Sequence, residues 1–245
     1  MNTQFVLKKI NLHRLMHLFI LSLLSVALFS CSKDDDASPE ELKDEVGNVP
    51  GLGETGGTPQ GTTFSLPDGI TVVGDITGQL CDEATFTIGS GHYVTVCVGL
   101  SNDTEQEKTI TFPAGLVLIS TTDNYQNGVV LTTESFAIPP KQTIRFVFHT
   151  YCGNASRSSA SSSAVYTFGP ITNSKLITRL INDLKNKKIS VVDYMNGDDV
   201  DDEFETIAST VQALLWMITD SDLFSLDWMT FEMIYKQQLE TLPNK

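Results

Sequence analysis

Basic residues are scarce in this 245-residue chain, 16 against 30 acidic ones, and three of the basic ones, Lys8, Lys9 and Arg14, lie in its first fourteen residues. No acidic residue precedes Asp34, so from Cys31 onward 13 basic residues face 30 acidic ones, a formal charge of −17. A surface of that sign repels nucleic acid and anionic membrane faces. Histidine is equally thin: beyond the first thirty residues only His92 and His149 occur. There is no H-E-x-x-H, no G-x-S-x-G and no phosphate-cradling loop placed between a strand and a helix. The acidic run Asp198-Asp199-Val200-Asp201-Asp202-Glu203, with Asp193 and Asn196 upstream, lacks the alternating ligands, central glycine and distal glutamate of a calcium loop, and reads as a solvated loop and helix start. The sequence therefore implies no catalytic residue, no metal site and no cofactor. A long hydrophobic run is also missing. The apolar stretch Leu15–Ser30 follows a basic n-region and stops at Cys31, short of the roughly 20 residues a membrane span needs, which makes residues 1–30 a signal peptide.

Leu28-Phe29-Ser30-Cys31 resembles the lipobox of bacterial lipoproteins, an aliphatic residue and a small residue leading to a cysteine that receives diacylglycerol. The resemblance implies a lipidated Cys31 as the mature N-terminus. Lys33-Asp34-Asp35-Asp36 is similar to the acidic export signal of surface-exposed lipoproteins of Bacteroidetes, which implies an outer-membrane protein displayed to the outside. From Ala37 to about Thr62 the chain is rich in glycine and proline, so residues 31–62 are expected to form a flexible stalk. Gly51-Leu52-Gly53-Glu54-Thr55-Gly56 matches the dinucleotide fingerprint literally, but has neither the preceding strand nor the following helix, and reads as chance within a linker.

Residues 63–170 read as β. In His92–Leu100, Val94, Val96, Val98 and Leu100 share one face and Tyr93, Thr95 and Cys97 the other. In Thr143–Cys152, Ile144, Phe146, Phe148 and Cys152 oppose Arg145, Val147, His149 and Tyr151. Short strands punctuated by Pro113-Ala114-Gly115, Asn127-Gly128 and Pro139-Pro140 predict an antiparallel β-sandwich. After Gly169-Pro170 the period becomes helical, and residues 171–245 predict a three-helix subdomain. The first helix carries Leu176, Ile177, Leu180, Ile181 and Leu184 behind Asn173 or Ser174 as cap. The second carries Phe204, Ile207, Ala208, Val211, Leu215 and Ile218. The third carries Trp228, Phe231, Tyr235, Leu239 and Leu242 behind Ser225.

Excluding Cys31, the exported part has three cysteines, an odd number in a compartment where disulfides persist. Cys81 and Cys97 flank Gly89-Ser90-Gly91, and a hairpin turning there would bring them nearly opposite, so a disulfide is feasible if the register permits. That leaves Cys152. Tyr151-Cys152-Gly153-Asn154 at a strand end, followed by Val211-Gln212-Ala213-Leu214-Leu215-Trp216, resembles the thioester domains of bacterial surface adhesins. Their pattern is an aromatic residue and Cys, then a hydrophobic-Gln-x-hydrophobic-hydrophobic run on a helix. Gly153 differs from the hydrophobic residue usual after that Cys. The resemblance implies Cys152 as sulfur donor and Gln212 as acyl donor. The leading expectation is a non-catalytic lipoprotein that touches the membrane only through its anchor and presents its head to an extracellular protein or glycan for adhesion or ligand capture. A covalent adhesin using Cys152 and Gln212, or a glycan- or peptide-binding component of an outer-membrane uptake complex, are the alternatives.

Overall fold

The computed structural model describes residues 45–245 except 80, 82, 198 and 221–225. Cys31, Lys33, Asp34, Asp35, Asp36 and the proposed cap Ser225 lie outside the described residues, as do residues 1–30, read above as a signal peptide.

The fold is mainly β with three helices at its C-terminal end. The strands are β1 (Gly61–Thr62), β2 (Ile70–Val72), β3 (Ile76–Gly78), β4 (Phe86–Gly89), β5 (Val94–Asn102), β6 (Lys108–Phe112), β7 (Leu116–Ser120), β8 (Gly128–Val129), β9 (Glu134–Ile138), β10 (Thr143–Cys152) and β11 (Val165–Thr172). The expected sandwich is corrected. Strands pair in the order β5-β3-β11-β7-β8-β10, and β10 pairs again with β5, so the sheet closes as a six-stranded barrel, with β1, β2 and β4 as added edges. Closure removes the open edges that a sandwich leaves, and the alternation along each strand is the same in either architecture, which is why alternation alone could not separate them. The ribbon β6–β9 stands outside the barrel sheet but packs on the same apolar cluster through Ile110, Phe112 and Ile138.

The face assignments on β5 and β10 match the burial. Val94, Val96, Val98, Leu100, Phe146 and Phe148 are fully buried in this cluster, and Cys152 ends it. Phe112 is its hub, within 5.1 to 6.1 Å of the rings of Phe64, Phe136, Phe146, Phe148 and Phe168.

The structure joins Cys81 and Cys97 in a disulfide, with Cα atoms 5.2 Å apart, although no hairpin brings them together. β4 pairs parallel to β10 instead of turning back on β5. Gly89 and Gly91, at φ of 91° and 100°, cross the backbone of His149 and Thr150 so closely that a Cβ would collide with it. Cys81 arrives from the loop after β3, whose Thr77 is the register partner of Cys97.

The outer face of the barrel carries the helices. Helix α1 (Lys175–Leu184) is capped by Ser174, whose hydroxyl accepts from Ile177 N–H, and it buries Ile177, Leu180 and Leu184. Helix α2 (Asp202–Thr219) is capped by Asp201, and Asp202, Glu203 and Glu205 lie at its positive end. Helix α3 (Trp228–Thr241) starts on Asp227 and buries Phe231 and Tyr235, whereas Trp228, expected in the core, is 56% exposed and stacks on Phe231. Arg179 ties α1 to α3 by pairing with Glu232 and lying over the Tyr235 ring. Among the described residues no helix is long and apolar enough to cross a membrane.

The stalk expectation is corrected for residues 45–62. Val49 and Leu52 are buried at 2% and 1% exposure against α2 and the end of β10, and β1 pairs with β11. Gly47 N–H donates to Ile218 O (2.7 Å) and Gly53 N–H to Gly153 O (2.6 Å), while Asn154 and Asn127 side chains donate to Gly53 O and Gly51 O. The glycines permit close approach as well as flexibility: Gly51 and Gly53 have positive φ, and a Cβ on Gly53 would collide with the Thr219 carbonyl. Residues 47–53 thus form a strap bonded both to the C-terminal end of α2 and to the turn after β10.

Candidate functional site

The site forms where β10 ends beneath α2. Strand alternation places Tyr151 toward the helices and Cys152 toward the barrel interior, and both are fully buried. Gln212 sits on the inner face of α2, one turn before Trp216, and is 1% exposed. Its carboxamide is committed at both ends to the peptide groups of Cys152. Cys152 N–H donates to Gln212 Oε1 at 2.8 Å, and Gln212 Nε2 donates to Cys152 O at 2.8 Å. The structure thus brings together the two residues singled out in the sequence, 60 positions apart.

Cys152 is the free cysteine of the described part and is buried. Burial pushes its thiol up to about 12, and the carboxylate of Asp220 acts in the same direction. Asn154 N–H, 3.3 Å from the sulfur, and the nearby Trp216 indole favour the thiolate but do not offset the desolvation. The Trp216 indole N–H is buried and acts on the Cys152 thiol, and Tyr166 O–H is buried without a hydrogen-bond partner among the described residues. The indole is a donor available to an atom that develops negative charge beside Cys152. Tyr93 stacks obliquely on Trp216, ring centres 5.6 Å apart, and covers it from the barrel side.

His149 does not serve the thiol. It lies on the other face of β10, edge-on to Phe204, with Nδ1 facing Gly91 O and Thr95 Oγ1, and burial lowers it to about 4. Among the described residues no group of three His, Cys, Asp or Glu side chains is placed to hold a metal ion.

Asn154 and Asp220 were not apparent as site residues in the sequence. Asn154 is fully buried and bonds in three directions: its N–H to the sulfur, its Oδ1 to Asn127 N–H, its Nδ2 to Gly53 O. Asp220, just past α2 and 1% exposed, accepts from Ala155 N–H at 2.9 Å. These two side chains fix the turn that follows Cys152 relative to the helix bearing Gln212. The available signal was Val46, Val49 and Leu52 at a spacing of three within the glycine-rich segment, an apolar pattern that a free linker does not need. No family model, no curated protein and no solved structure matches the chain.

Proposed function

We propose that the chain is an exported lipoprotein, anchored at the outer membrane through Cys31 and displayed under the Lys33–Asp36 address, whose head captures an extracellular partner through a thioester between Cys152 and Gln212. The observation that carries this reading is the buried Gln212 carboxamide, locked by two hydrogen bonds onto the residue that bears the free thiol. Attack of Cys152 Sγ on Gln212 Cδ forms the S–C bond and breaks C–N, and the thiol proton leaves with the amide nitrogen as ammonia. A primary amine on the partner then forms an amide with Gln212 Cδ, and its proton returns to the sulfur. Each head reacts once, so it is an adhesin and not an enzyme. A thioester survives in water only where solvent is kept away, and the fully buried Cys152 and nearly buried Gln212 meet that need.

Non-covalent capture by the same head is the second reading. It is favoured by the raised thiol, which stays protonated and a poor nucleophile at neutral pH. Methylamine separates the two: covalent reactivity adds one methylamine at Gln212 and frees one thiol, and no addition after prolonged exposure contradicts it. The anchor is tested separately. Cys31→Ser should abolish labelling by a fatty-acid analogue, and alanines at Lys33–Asp36 should leave the protein lipidated but protected from protease added to whole cells.

A further inference from the structure

The segment between the anchor position and the barrel crosses the Cys152–Gln212 site before it enters the sheet. Gly47, where its first hydrogen bond to the body is made, lies 16 residues after Cys31. From there the strap bonds alternately to the two chain segments that make the site. Gly47 N–H takes the Ile218 carbonyl and Asn48 bridges to Asp220, both at the C-terminal end of α2. Gly53 then takes the Gly153 carbonyl and the Asn154 side chain, immediately after Cys152.

Leu52 completes the closure. A Cβ at Gly153 would meet Leu52 Cδ2 at 2.8 Å and Val129 Cγ2 at 3.2 Å, so the strap's leucine packs directly over the residue after Cys152. The apolar cover of position 153 is supplied by the strap. The strap is held by the side chains of Val49 and Leu52 and by single hydrogen bonds to the body, with no strand ladder of its own. The barrel behind it is closed by ladders and by the Cys81–Cys97 disulfide.

We propose that residues 47–53 are a releasable strap that holds the Cys152–Gln212 site shut, and that pull transmitted from the anchor at Cys31 peels it and opens the site. The inference rests on the reading of Cys31 as anchor, and it gives the capture reaction its regulation. Along the described residues, load entering from the N-terminal side reaches Gly47 before any barrel strand, because residues 47–53 precede β1. Peeling it unties Asn154 from Gly53, uncovers Gly153 and frees the α2 carbonyl of Ile218, which loosens both partners of the Cys–Gln pair at once.

The test uses the exported chain carrying Cys31→Ser and Gln212→Ala, in which Cys152 is a free thiol whether or not a thioester ever forms. Failure of the thioester reading therefore leaves this result untouched. Maleimide labelling of Cys152 under native conditions should rise at least tenfold in Leu52→Asp, which places a charge in the strap's apolar slot. Leu242→Ala, a core truncation at the end of α3, should lower the melting temperature without raising the rate. Equal labelling with and without Leu52→Asp, or equal acceleration by Leu242→Ala, would overturn the strap. Pulling the same chain by its two termini should accelerate labelling before the barrel extends, whereas acceleration only on full extension would overturn the load-gated part. If the Gln212→Ala background does not fold, the comparison is made in the wild-type chain, with maleimide on a free thiol or methylamine on an intact thioester.

Discussion

The barrel interior and the helix-covered face of the same sheet are built on opposite rules. Inside, phenylalanines interlock around Phe112, while on the other face of β5 one disulfide ties that strand to the loop after β3. Outside, apolar side chains from α1, α2, α3 and the strap surround polar groups that burial would penalise unless paired: Gln212, Asn154, Asn127 and Asp220. Their bonds join segments 60, 65 and 101 residues apart. The comparison teaches that this chain places its aromatic packing on one side of the sheet and, on the other, polar bonds that hold remote segments in register around the proposed site.

Substitutions can sharpen that contrast. Phe112→Ala should be the most damaging, at about 3–5 kcal/mol in denaturant titration, because five aromatic neighbours lose their common partner and a cavity remains. Replacing Cys81 and Cys97 together by alanine should cost about 3 kcal/mol for a loop of this length. It should leave Cys152 labelling unchanged, since the bond sits against Phe146, at the other end of β10 from Cys152. Leu52→Ala should cost about 2 kcal/mol, smaller than Phe112→Ala, and should speed labelling of the site. A Phe112→Ala variant that speeds labelling as much as Leu52→Ala does at matched stability would erase the distinction between the two regions.

Acid gives a further handle. His149 falls from its ordinary 6.5 to about 4 in the fold because burial disfavours the cation. The unfolded chain therefore binds the proton first, and the stability present above pH 6.5 is lost as pH falls toward 4, a change on the order of 3 kcal/mol. Chemical denaturation across that window should show the slope, and His149→Phe should flatten it. The smallest effect belongs to Trp228→Ala, within about 0.5 kcal/mol, since that side chain is mostly exposed.

Much of the scaffold was legible because periodicity reports burial directly. The alternation in Val94–Leu100 and the helical stripe Phe204, Ile207, Ala208, Val211, Leu215 and Ile218 both lie buried as their spacing required. Closure into a barrel was not legible, because it depends on the second pairing of β10 with β5 and on glycines that let β4 cross to the far side of β10. At the site, the juxtaposition of Cys152 and Gln212 was anticipated only through their resemblance to a known pattern. Asn154 and Asp220 gave no local signal, since their bonds run to residues distant in sequence. The strap was misread because glycine density signals flexibility and close approach alike, and only Val49 and Leu52 distinguish the two.

The most direct measurement of the central claim is the intact mass and thiol count of the wild-type head, unfolded at low pH where a thioester persists. The account predicts a mass lower by one ammonia than the disulfide-bonded sequence requires and no titratable thiol, with both reverting in Gln212→Ala. A full-mass chain with one free thiol at Cys152 would contradict it.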